Sequence, residues 1–424
     1  MATEAMISTP ASATATKPES AAAAWRRTIP ETYTVRFSNG AEETYGEGLP
    51  AFTLIVRDRR QMLDLFSSDT YSAALSFIRG DFNVEGDLVA AVRFQLNRHR
   101  RGWRDLLYAA AARLAPHRIE TWLQTRARAA ENIRYHYDRS NEFYKQFLDS
   151  RMVYSCAYFQ TPGASLEEAQ VAKLDHICRK LDLRPGDRFL DIGCGWGSLV
   201  IHAAGRYGAQ AIGCTLSRNQ TEYARESARR VTGAEVAIHE MDFREMSGRF
   251  DKIASVGMFE HVGRHRLRSY FRKVHDLLEP DGLFLNHGLV RPEFVTDCAQ
   301  TLFLQRRVFP GGELAHLSDV IRTAELAGFE ILDVEDLRPH YALTCRAWVG
   351  RLQRNADACL DAVDRETYRT WLLYLAGSAA SFEDGLTGVS QLLLAKRSSP
   401  ARRLTREYMC AGANGPARAP ESIS

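Results

Sequence analysis

The sequence has no uninterrupted apolar segment long enough to span a bilayer, and none of its eight cysteines form a CxxC pair. Because a transmembrane helix needs about 20 consecutive apolar residues, a membrane can be a partner only at its surface. Scattered cysteines argue against a zinc site and a disulfide framework, and favour a reducing cytosol. The N-terminus lacks a basic start followed by an apolar stretch, so we predict no signal peptide.

Neither sign of charge dominates, because 55 basic and 52 acidic residues leave a net charge of +3. Any attraction to nucleic acid or anionic lipid must therefore come from a local patch. Residues 98–139 form such a patch, in which arginines alternate with apolar residues such as Trp103 and Trp122. Two interpretations stay open: a solvated helical linker, or an amphipathic segment on anionic headgroups. No helix-turn-helix, RNP or KH pattern supports nucleic acid as a partner.

Composition divides the chain into five parts. Residues 1–24 are mostly Ala, Thr, Ser and Pro, which is typical of a disordered tail. A small α+β N-terminal domain fits residues 29–97, and the basic linker follows. An α/β domain is predicted over residues 140–398, and a C-terminal tail over residues 399–424.

Within the N-terminal domain, strand-like residues Tyr33–Phe37 precede a turn signal at Ser38-Asn39-Gly40. With the apolar run Ala51–Val56, this pattern predicts a β-hairpin. Helical patterns follow around Arg59–Phe66 and Asp69–Ile78.

From Leu166 onwards, strand and helix patterns alternate, and Trp371–Gly385 is predicted as a late helix. Such alternation is typical of a doubly wound α/β sheet. The predicted strands are Arg188–Ile192, Ala209–Thr215, Glu235–Met241, Lys252–Val256, Leu283–Leu289, Glu330–Leu337 and Gln391–Ala395.

The first of these strands runs into a glycine-rich loop with Gly193, Gly195 and Gly197, and with Cys194 between the first two. Glycines let the backbone turn sharply and approach a ligand closely. A tight turn alone could explain them. However, G-x-G-x-G spacing and Asp191 at the strand end favour S-adenosylmethionine, whereas dinucleotide-binding folds favour G-x-G-x-x-G. In methyltransferases this acid typically engages the methionine end of the cofactor.

The next two strands supply further candidates for cofactor binding. The second ends in Thr215-Leu216-Ser217 without an acidic residue. Neutral hydrogen bonds from Thr215, Ser217 or Gln220 would then serve the ribose hydroxyls. After the third strand, Asp242 can accept from the adenine amino group and Phe243 can cover the ring. Asp242 alone could equally be a helix N-cap.

A series of motifs, in order and with matching spacing between about Asn132 and Lys396, resembles the cyclopropane-fatty-acyl-phospholipid synthase family, which includes mycolic-acid cyclopropane synthases. The resemblance implies a class I methyltransferase fold: a doubly wound, seven-stranded, mostly parallel sheet preceded by a small α+β domain. Arg79-Gly80-Asp81 and Glu85-Gly86-Asp87 resemble the N-terminal domain of the longer bacterial enzymes. The motifs are Tyr135–Asp138, Tyr154–Phe159, Glu167–Gln170, Leu190–Gly197, Thr215–Gln220 and Val256–Gly263.

The resemblance also implies a reaction. The family transfers the methyl group of S-adenosylmethionine to a cis double bond of an acyl chain. A carbocation forms, a bound bicarbonate ion is thought to remove a proton from the new methyl group, and ring closure gives a cyclopropane. Aromatic faces could stabilise the cation. The candidates are Tyr137, Phe159, Phe259 and Phe309.

The residues that hold the bicarbonate ion in the family match four residues of this sequence. Tyr154 and Ser155 match family residues that reach the cofactor. In isolation, a single cysteine or a histidine at a strand end is more often an ordinary core residue. The four matched residues are Cys156, Glu260, His287 and Tyr341.

The sequence also departs from the family. Gly288-Leu289-Val290 follows His287, whereas many members read His-Thr-Ile here, and Ser378 stands where cysteine is frequent. The first departure bears on the shape of the ion pocket, and the second argues against an essential thiol at that position.

These observations lead to one main expectation and several alternatives. We expect an enzyme acting on unsaturated acyl chains at a phospholipid bilayer surface, in the cytoplasm and peripherally attached to the inner face of the membrane. A homodimer is expected from the resemblance alone. A methyl-branched product, N- or O-methylation of a small acceptor, and a non-enzymatic lipid-binding scaffold are the alternatives.

Overall fold

The computed structural model describes residues 32–99, 140–231, 235–295, 307–308, 314–397, 399 and 403–410. The predicted N-terminal tail, nearly all of the basic linker and most of the C-terminal tail lie outside the described residues. Within the described residues, no helix has the length and apolar character needed to cross a membrane.

The N-terminal unit is a four-stranded sheet in the order β2-β1-β3-β4 with three helices. Asp58 and Asp69 cap the first two helices by accepting from backbone N–H groups of their first turns. The strands are β1 (Tyr33–Phe37), β2 (Glu42–Tyr45), β3 (Phe52–Val56) and β4 (Asn83–Gly86), and the helices are α1 (Arg59–Ser67), α2 (Thr70–Arg79) and α3 (Leu88–His99).

The predicted hairpin exists, but its second strand was wrong. β1 pairs antiparallel with β2, whereas β3, the predicted partner, pairs parallel with β1. Gly40 adopts a φ of +86° in the turn, a conformation that costs glycine little. The chain therefore reverses at once. β2 escaped the sequence analysis because it is polar and mostly exposed, and so lacks an apolar signal.

The seven-stranded, mostly parallel sheet predicted for the larger unit is confirmed, with the order β10-β11-β9-β8-β5-β6-β7. β11 is antiparallel to both of its neighbours, and the remaining neighbours pair parallel. The strands are β5 (Arg188–Ile192), β6 (Gln210–Thr215), β7 (Val236–Glu240), β8 (Phe250–Val256), β9 (Leu278–Val290), β10 (Phe329–Asp336) and β11 (Gly388–Lys396).

The fifth strand of this sheet, β9, is longer than the predicted Leu283–Leu289. Its first residues include Pro280, Asp281 and Gly282, which are typical of a turn. The chain nevertheless stays extended, and an irregularity in the pairing with β8 accommodates these residues.

Helices cover both faces of the sheet. Apolar residues of α5 and α6 pack on one face, and those of α8 and α9 on the other. A capping box of Ser165 and Glu168 begins α5. The helices are α4 (Asn141–Lys145), α5 (Leu166–Lys180), α6 (Ser198–Tyr207), α7 (Arg218–Arg229), α8 (Leu267–Leu277), α9 (Leu317–Leu326), α10 (Arg338–Arg354), α11 (Ala356–Ala362), α12 (Arg365–Glu383) and α13 (Glu407–Cys410).

The late helix α12 begins six residues before the predicted Trp371, because Asp364 caps its polar first turn at Thr367 N. The N-terminal unit packs against the same helix. Arg369 is buried and donates to the carbonyls of Phe77 and Phe82. Side chains of α3 join those of α12 in one apolar core.

Candidate active site

A cavity of about 210 Å³ lies at the carboxyl ends of the parallel strands, where open α/β sheets bind ligands. Most residues predicted to bind the cofactor line it. They are Tyr154, Ser155, Asp191, Gly193, Cys194, Gly195, Thr215, Leu216, Gln220, Asp242 and Phe243.

Gly197 and Ser217 do not line this cavity, although the sequence analysis assigned both to the cofactor. A Cβ on Gly197 would lie 2.9 Å from the Cβ of Ala224, so this glycine permits the close contact between α6 and α7. Ser217 is buried and caps α7 by accepting from Gln220 N. Both residues shape the loop by starting a helix. In contrast, a Cβ on Gly193 would meet the side chain of Met258 at 2.7 Å, beside the cavity.

The candidate ribose ligands form a pair. Thr215 Oγ1 donates to Gln220 Oε1 at 2.7 Å, and both residues line the cavity. This bond orients the Gln220 amide, whose nitrogen is the donor it can offer to a ligand. Neutral recognition of the ribose by Gln220 stays a prediction, and the geometry is compatible with it.

Asp242 is already engaged by its own segment. It caps the 3₁₀ helix Phe243–Glu245, and its Oδ1 accepts from the backbone N and the Nε of Arg244 at 2.9 and 2.8 Å. The N-cap interpretation is therefore confirmed. An adenine amino group would have to share this carboxylate with Arg244.

Asp191 has a partner that the sequence analysis missed. Lys173 of α5 is buried, lines the cavity and donates to Ser155 Oγ at 3.0 Å. Burial lowers the pKa of Lys173 to about 8, an effect opposed by the charges of Asp149 and Asp191. Burial raises the pKa of Asp191 to about 7, opposed by Lys173. The sequence did carry a signal for Lys173, because it lies three residues after Gln170 of a family motif and therefore on the same face of the helix.

Gln170 and Lys173 both donate hydrogen bonds to Ser155, a residue of the cavity wall. Gln170 Nε2 donates to the carbonyl of Ser155 at 3.0 Å, one helical turn before Lys173. Ser155 is thus bound through both its backbone and its hydroxyl group. The two hydrogen bonds fix Ser155, and thereby the positions of Tyr154 before it and Cys156 after it.

Cys156 is completely buried, and its Sγ lies 3.3 Å from the Ala157 carbonyl. It packs in a small cluster with Leu289 and Tyr341. Burial raises the pKa of Cys156 far above its usual range, so the group is a neutral thiol and not a thiolate nucleophile.

Glu260 approaches the same cluster from the 3₁₀ helix Phe259–His261. Its Oε1 accepts from Leu289 N at 2.7 Å, and its buried Oε2 has no hydrogen-bond partner in the described part of the chain. Burial raises the pKa of Glu260 to about 7. A Cβ on Gly288 would lie 2.2 Å from the Phe259 ring and 2.8 Å from Glu260 Oε1. The departure at Gly288 therefore makes room for this approach.

His287 precedes Leu289 by two residues on β9 and is buried. Burial, together with the positive charges of Lys173 and Lys180, lowers the pKa of His287 to about 3, so the ring is neutral. Its Nδ1 lies 3.0 Å from Gln391 Nε2, a contact that the sequence analysis did not predict.

Tyr341 enters from α10, a helix that was not predicted because Pro339 interrupts the pattern. Proline is tolerated there because it lies in the first turn. The Tyr341 ring stacks on Phe382 with centroids 4.6 Å apart. Burial raises the pKa of Tyr341, and nearby groups including Cys156 and Glu260 add to the effect.

The structure thus brings Cys156, Glu260 and Tyr341 together around Leu289, while His287 lies two residues earlier on the same strand with its ring against Gln391. None of the four lines the described cavity itself. Of the aromatic candidates, the Phe259 ring is buried beside Gly288. Tyr137 and Phe309 lie outside the described residues.

Comparisons with known proteins show the family. The profile of the mycolic acid cyclopropane synthetase family matches residues 124–392. A probable fatty acid methyltransferase of Pseudomonas putida is 38% identical over 359 residues, which cover 82% of this chain and 88% of the relative. Cyclopropane mycolic acid synthase 3 of Mycobacterium tuberculosis is 35% identical over 277 residues, covering 62% and 96%.

A solved structure supports both the fold and the cofactor. The mycolic acid cyclopropane synthase CmaA1, complexed with SAH and CTAB, is 33% identical, with a TM-score of 0.61 over 63% of this chain and 98% of that one. SAH is the product that remains when S-adenosylmethionine has given up its methyl group. This chain therefore belongs to the mycolic acid cyclopropane synthetase family of S-adenosylmethionine-dependent methyltransferases.

Proposed function

We propose that this enzyme transfers the methyl group of S-adenosylmethionine to a cis double bond of an unsaturated acyl chain and forms a cyclopropane. The observation that carries the proposal is the group of Cys156, Glu260, His287 and Tyr341 outside the cofactor cavity, in which Cys156 and His287 are buried and Glu260 and Tyr341 half-buried. The names of the relatives, a cyclopropane synthase and a fatty acid methyltransferase, support an acyl acceptor. A small polar acceptor would have no use for this second set.

Bicarbonate fits this set. Glu260 Oε2 is an acceptor or donor without a partner among the described residues. His287 and Tyr341 can donate hydrogen bonds. When bound there, bicarbonate would supply a base for the proton that leaves the new methyl group.

The chain's own residues would then position and shield the reacting groups. A Glu260 side chain with a pKa of about 7 can hold or release a proton near neutral pH. Thiol, imidazole and phenol groups that stay neutral add no competing nucleophilic anion. The rings of Phe259 and Tyr154 present aromatic faces that could stabilise positive charge on carbon.

We further propose that the acyl chains belong to phospholipids of an anionic membrane surface. This proposal rests on the composition of residues 98–139, in which ten arginines accompany apolar residues. Basic residues near an anionic surface each contribute about 1 kcal/mol of attraction. The substrate would leave the bilayer by one acyl chain at a time.

Lipid analysis tests the reaction. Cells that produce the enzyme should contain acyl chains heavier by one CH2, and an NMR cyclopropyl signal should accompany the mass change. Glu260→Gln tests the role of Glu260 with little structural change, because the new amide oxygen can still accept from Leu289 N. It should bind S-adenosylmethionine normally yet lose at least about 100-fold in turnover. Loss of cofactor binding in this variant would refute the role given to Glu260.

A methyl-branched product is the second candidate, favoured by the name of the Pseudomonas relative, a probable fatty acid methyltransferase. It would arise if the proton left another carbon. The mass gain would be present without a cyclopropyl signal, so the same experiment separates the two products. Methylation of small polar amines or hydroxyls, with no change in lipids, would contradict both.

A further inference from the structure

A row of polar side chains crosses the antiparallel part of the main sheet beside the proposed ion site. Glu335 of β10 lies opposite Gln391 of β11, and Gln391 lies opposite His287 of β9. Opposed residues on antiparallel strands project from the same face with Cβ atoms about 5 Å apart. Gln391, in the middle, is completely buried; its amide nitrogen contacts His287, and its amide oxygen has no hydrogen-bond partner among the described residues.

The contact between Gln391 and His287 has a defined polarity. Gln391 Nε2 lies 3.0 Å from His287 Nδ1, and an amide nitrogen is a donor only. Nδ1 must therefore accept, and it carries no proton. In a neutral imidazole the proton then resides on Nε2, which remains a donor.

The position of this proton matters because a neutral imidazole ring carries only one N–H. Burial, together with Lys173, Lys180 and His176 on α5, lowers the pKa of His287 to about 3. The imidazolium, which would donate from both nitrogens, is thus disfavoured. A neutral ring either donates to an anion through Nε2 or opposes it with a lone pair.

The far end of the row is fixed by α5. Glu335 Oε2 lies 2.6 Å from Lys180 Nζ and 2.7 Å from His176 Nε2. Burial alone would raise the pKa of Glu335, but the hydrogen bond with His176 and the charge of Lys180 lower it to about 2. Glu335 is therefore ionised and bound to α5, and the amide nitrogen of Gln391 contacts His287 and not Glu335.

We propose that Gln391 is a positioning residue that selects the Nε2–H tautomer of His287, so that the ring presents an N–H to the anion held by Glu260 and Tyr341. The catalytic part of this inference rests on the proposed function. The tautomer itself is a property of the resting protein, and it can be measured without substrate.

Nitrogen NMR of the full chain, labelled with ¹⁵N in its histidine rings, tests the tautomer. Signals of His287 are those missing from His287→Gln. In the wild type, Nε2 should be protonated and Nδ1 should not. Gln391→Glu replaces the donor by an acceptor and should move the proton to Nδ1. A wild-type spectrum with a proton on Nδ1 would overturn the proposal.

Kinetics test the consequence. Gln391→Met keeps the length of the side chain but removes the donor, and kcat should fall about 10- to 100-fold, as for other residues that orient a ligand. The KM for S-adenosylmethionine should not change. Ser390→Ala is the matched control, since Ser390 is also buried on β11 but projects from the other face.

The outcomes separate the two proposals. An unchanged tautomer and an unchanged kcat in Gln391→Met would refute the role of Gln391. If this variant does not fold, the wild-type and Gln391→Glu spectra still decide. A wild type with the expected tautomer that forms no methylated lipid would refute the proposed function and support the tautomer assignment alone.

Discussion

At the scale of single residues, burial sets the chemistry of this site. Lys173 and Asp191 both line the cavity, and burial brings their pKa values to about 8 and about 7. The charge of Lys173 favours the ionised form of Asp191, and the charges of Asp149 and then Asp191 favour the ionised form of Lys173. The cofactor cavity therefore has a charge balance that changes near neutral pH.

Asp191 predicts the pH dependence of cofactor binding. Below its pKa of about 7 the carboxyl group is protonated and loses its attraction for the cationic methionine end of S-adenosylmethionine. Affinity should therefore rise from pH 6 to pH 8, by up to about tenfold per pH unit below the pKa. Calorimetric titration measures this. Asp191→Asn should bind more weakly, with a flat profile; a wild-type profile equally flat would contradict the assignment.

Lys173 predicts a large effect on stability. Lys173→Met removes a buried hydrogen bond to Ser155 and the positive charge that favours the ionised forms of Asp149 and Asp191, and loss of such a buried charged donor costs about 1.5–3 kcal/mol. Urea denaturation measures the free energy of unfolding. Lys145, an exposed lysine paired with Glu142, is the control, and Lys145→Met should cost less than about 0.5 kcal/mol. Equal effects of the two substitutions would show that Lys173 is not buried as described.

At the scale of elements, the contact between β9 and the 3₁₀ helix Phe259–His261 gives the site its shape. Glu260 binds the backbone of Leu289, and Gly288 admits the Phe259 ring. One strand thus carries His287, Gly288 and Leu289, each with a separate task. The departure from the family's usual residues lies where the elements touch.

Gly288→Ala should disrupt this contact, because the new Cβ would lie 2.2 Å from the Phe259 ring. Overpacking of this kind costs about 1–3 kcal/mol. Turnover should also fall, since Glu260 moves with Phe259. Gly377 of α12 has no heavy atom within 4 Å of its potential Cβ. Gly377→Ala should therefore raise stability by about 0.5–1 kcal/mol. Thermal unfolding and lipid methylation assays measure both, and normal turnover in Gly288→Ala would contradict the tight contact.

At the scale of the whole molecule, the N-terminal unit and the methyltransferase unit share a buried arginine. Arg369 of α12 donates to Phe77 O at 2.6 Å, Phe82 O at 2.9 Å and Asn83 Oδ1 at 2.8 Å. The same helix carries Tyr374, which packs in one apolar core with Tyr154 of the cavity wall. One helix therefore joins the N-terminal unit to the site.

Arg369→Met should destabilise the protein, because three acceptors lose their donor. Each buried unpaired polar group costs about 1–3 kcal/mol. Arg365, an exposed arginine one turn earlier, is the control, and Arg365→Met should change the free energy of unfolding by less than about 0.5 kcal/mol. A similar small effect for Arg369→Met would argue against a fixed contact between the units.

The proposed membrane contact predicts salt dependence. Raising salt from 0.1 to 1 M shortens the Debye length from about 10 Å to about 3 Å, so binding to anionic vesicles should weaken. Vesicle co-sedimentation measures this, with neutral phosphatidylcholine vesicles as the control. Binding to anionic vesicles that does not respond to salt would refute electrostatic docking.

Much of the fold follows from local patterns. Apolar strands alternating with helices predicted the seven-stranded sheet, and Asp191 with the three glycines predicted the cofactor loop. The failures have a common cause. β2 is polar and exposed, and α10 contains Pro339 in its first turn, so neither carries the apolar period or propensity on which prediction depends.

The sequence by itself determined the family and the methyl donor, because these depend on motifs with fixed spacing, and the same motifs predicted the four residues of the proposed ion site. Only the tertiary structure decided the charges and tautomers of the site residues. Gln391 meets His287 across 104 residues of chain, and Lys173 meets Asp191 from a different element. Pairings between distant residues and the loss of water around them set tautomers and charges, and neither can be read from neighbours in the chain.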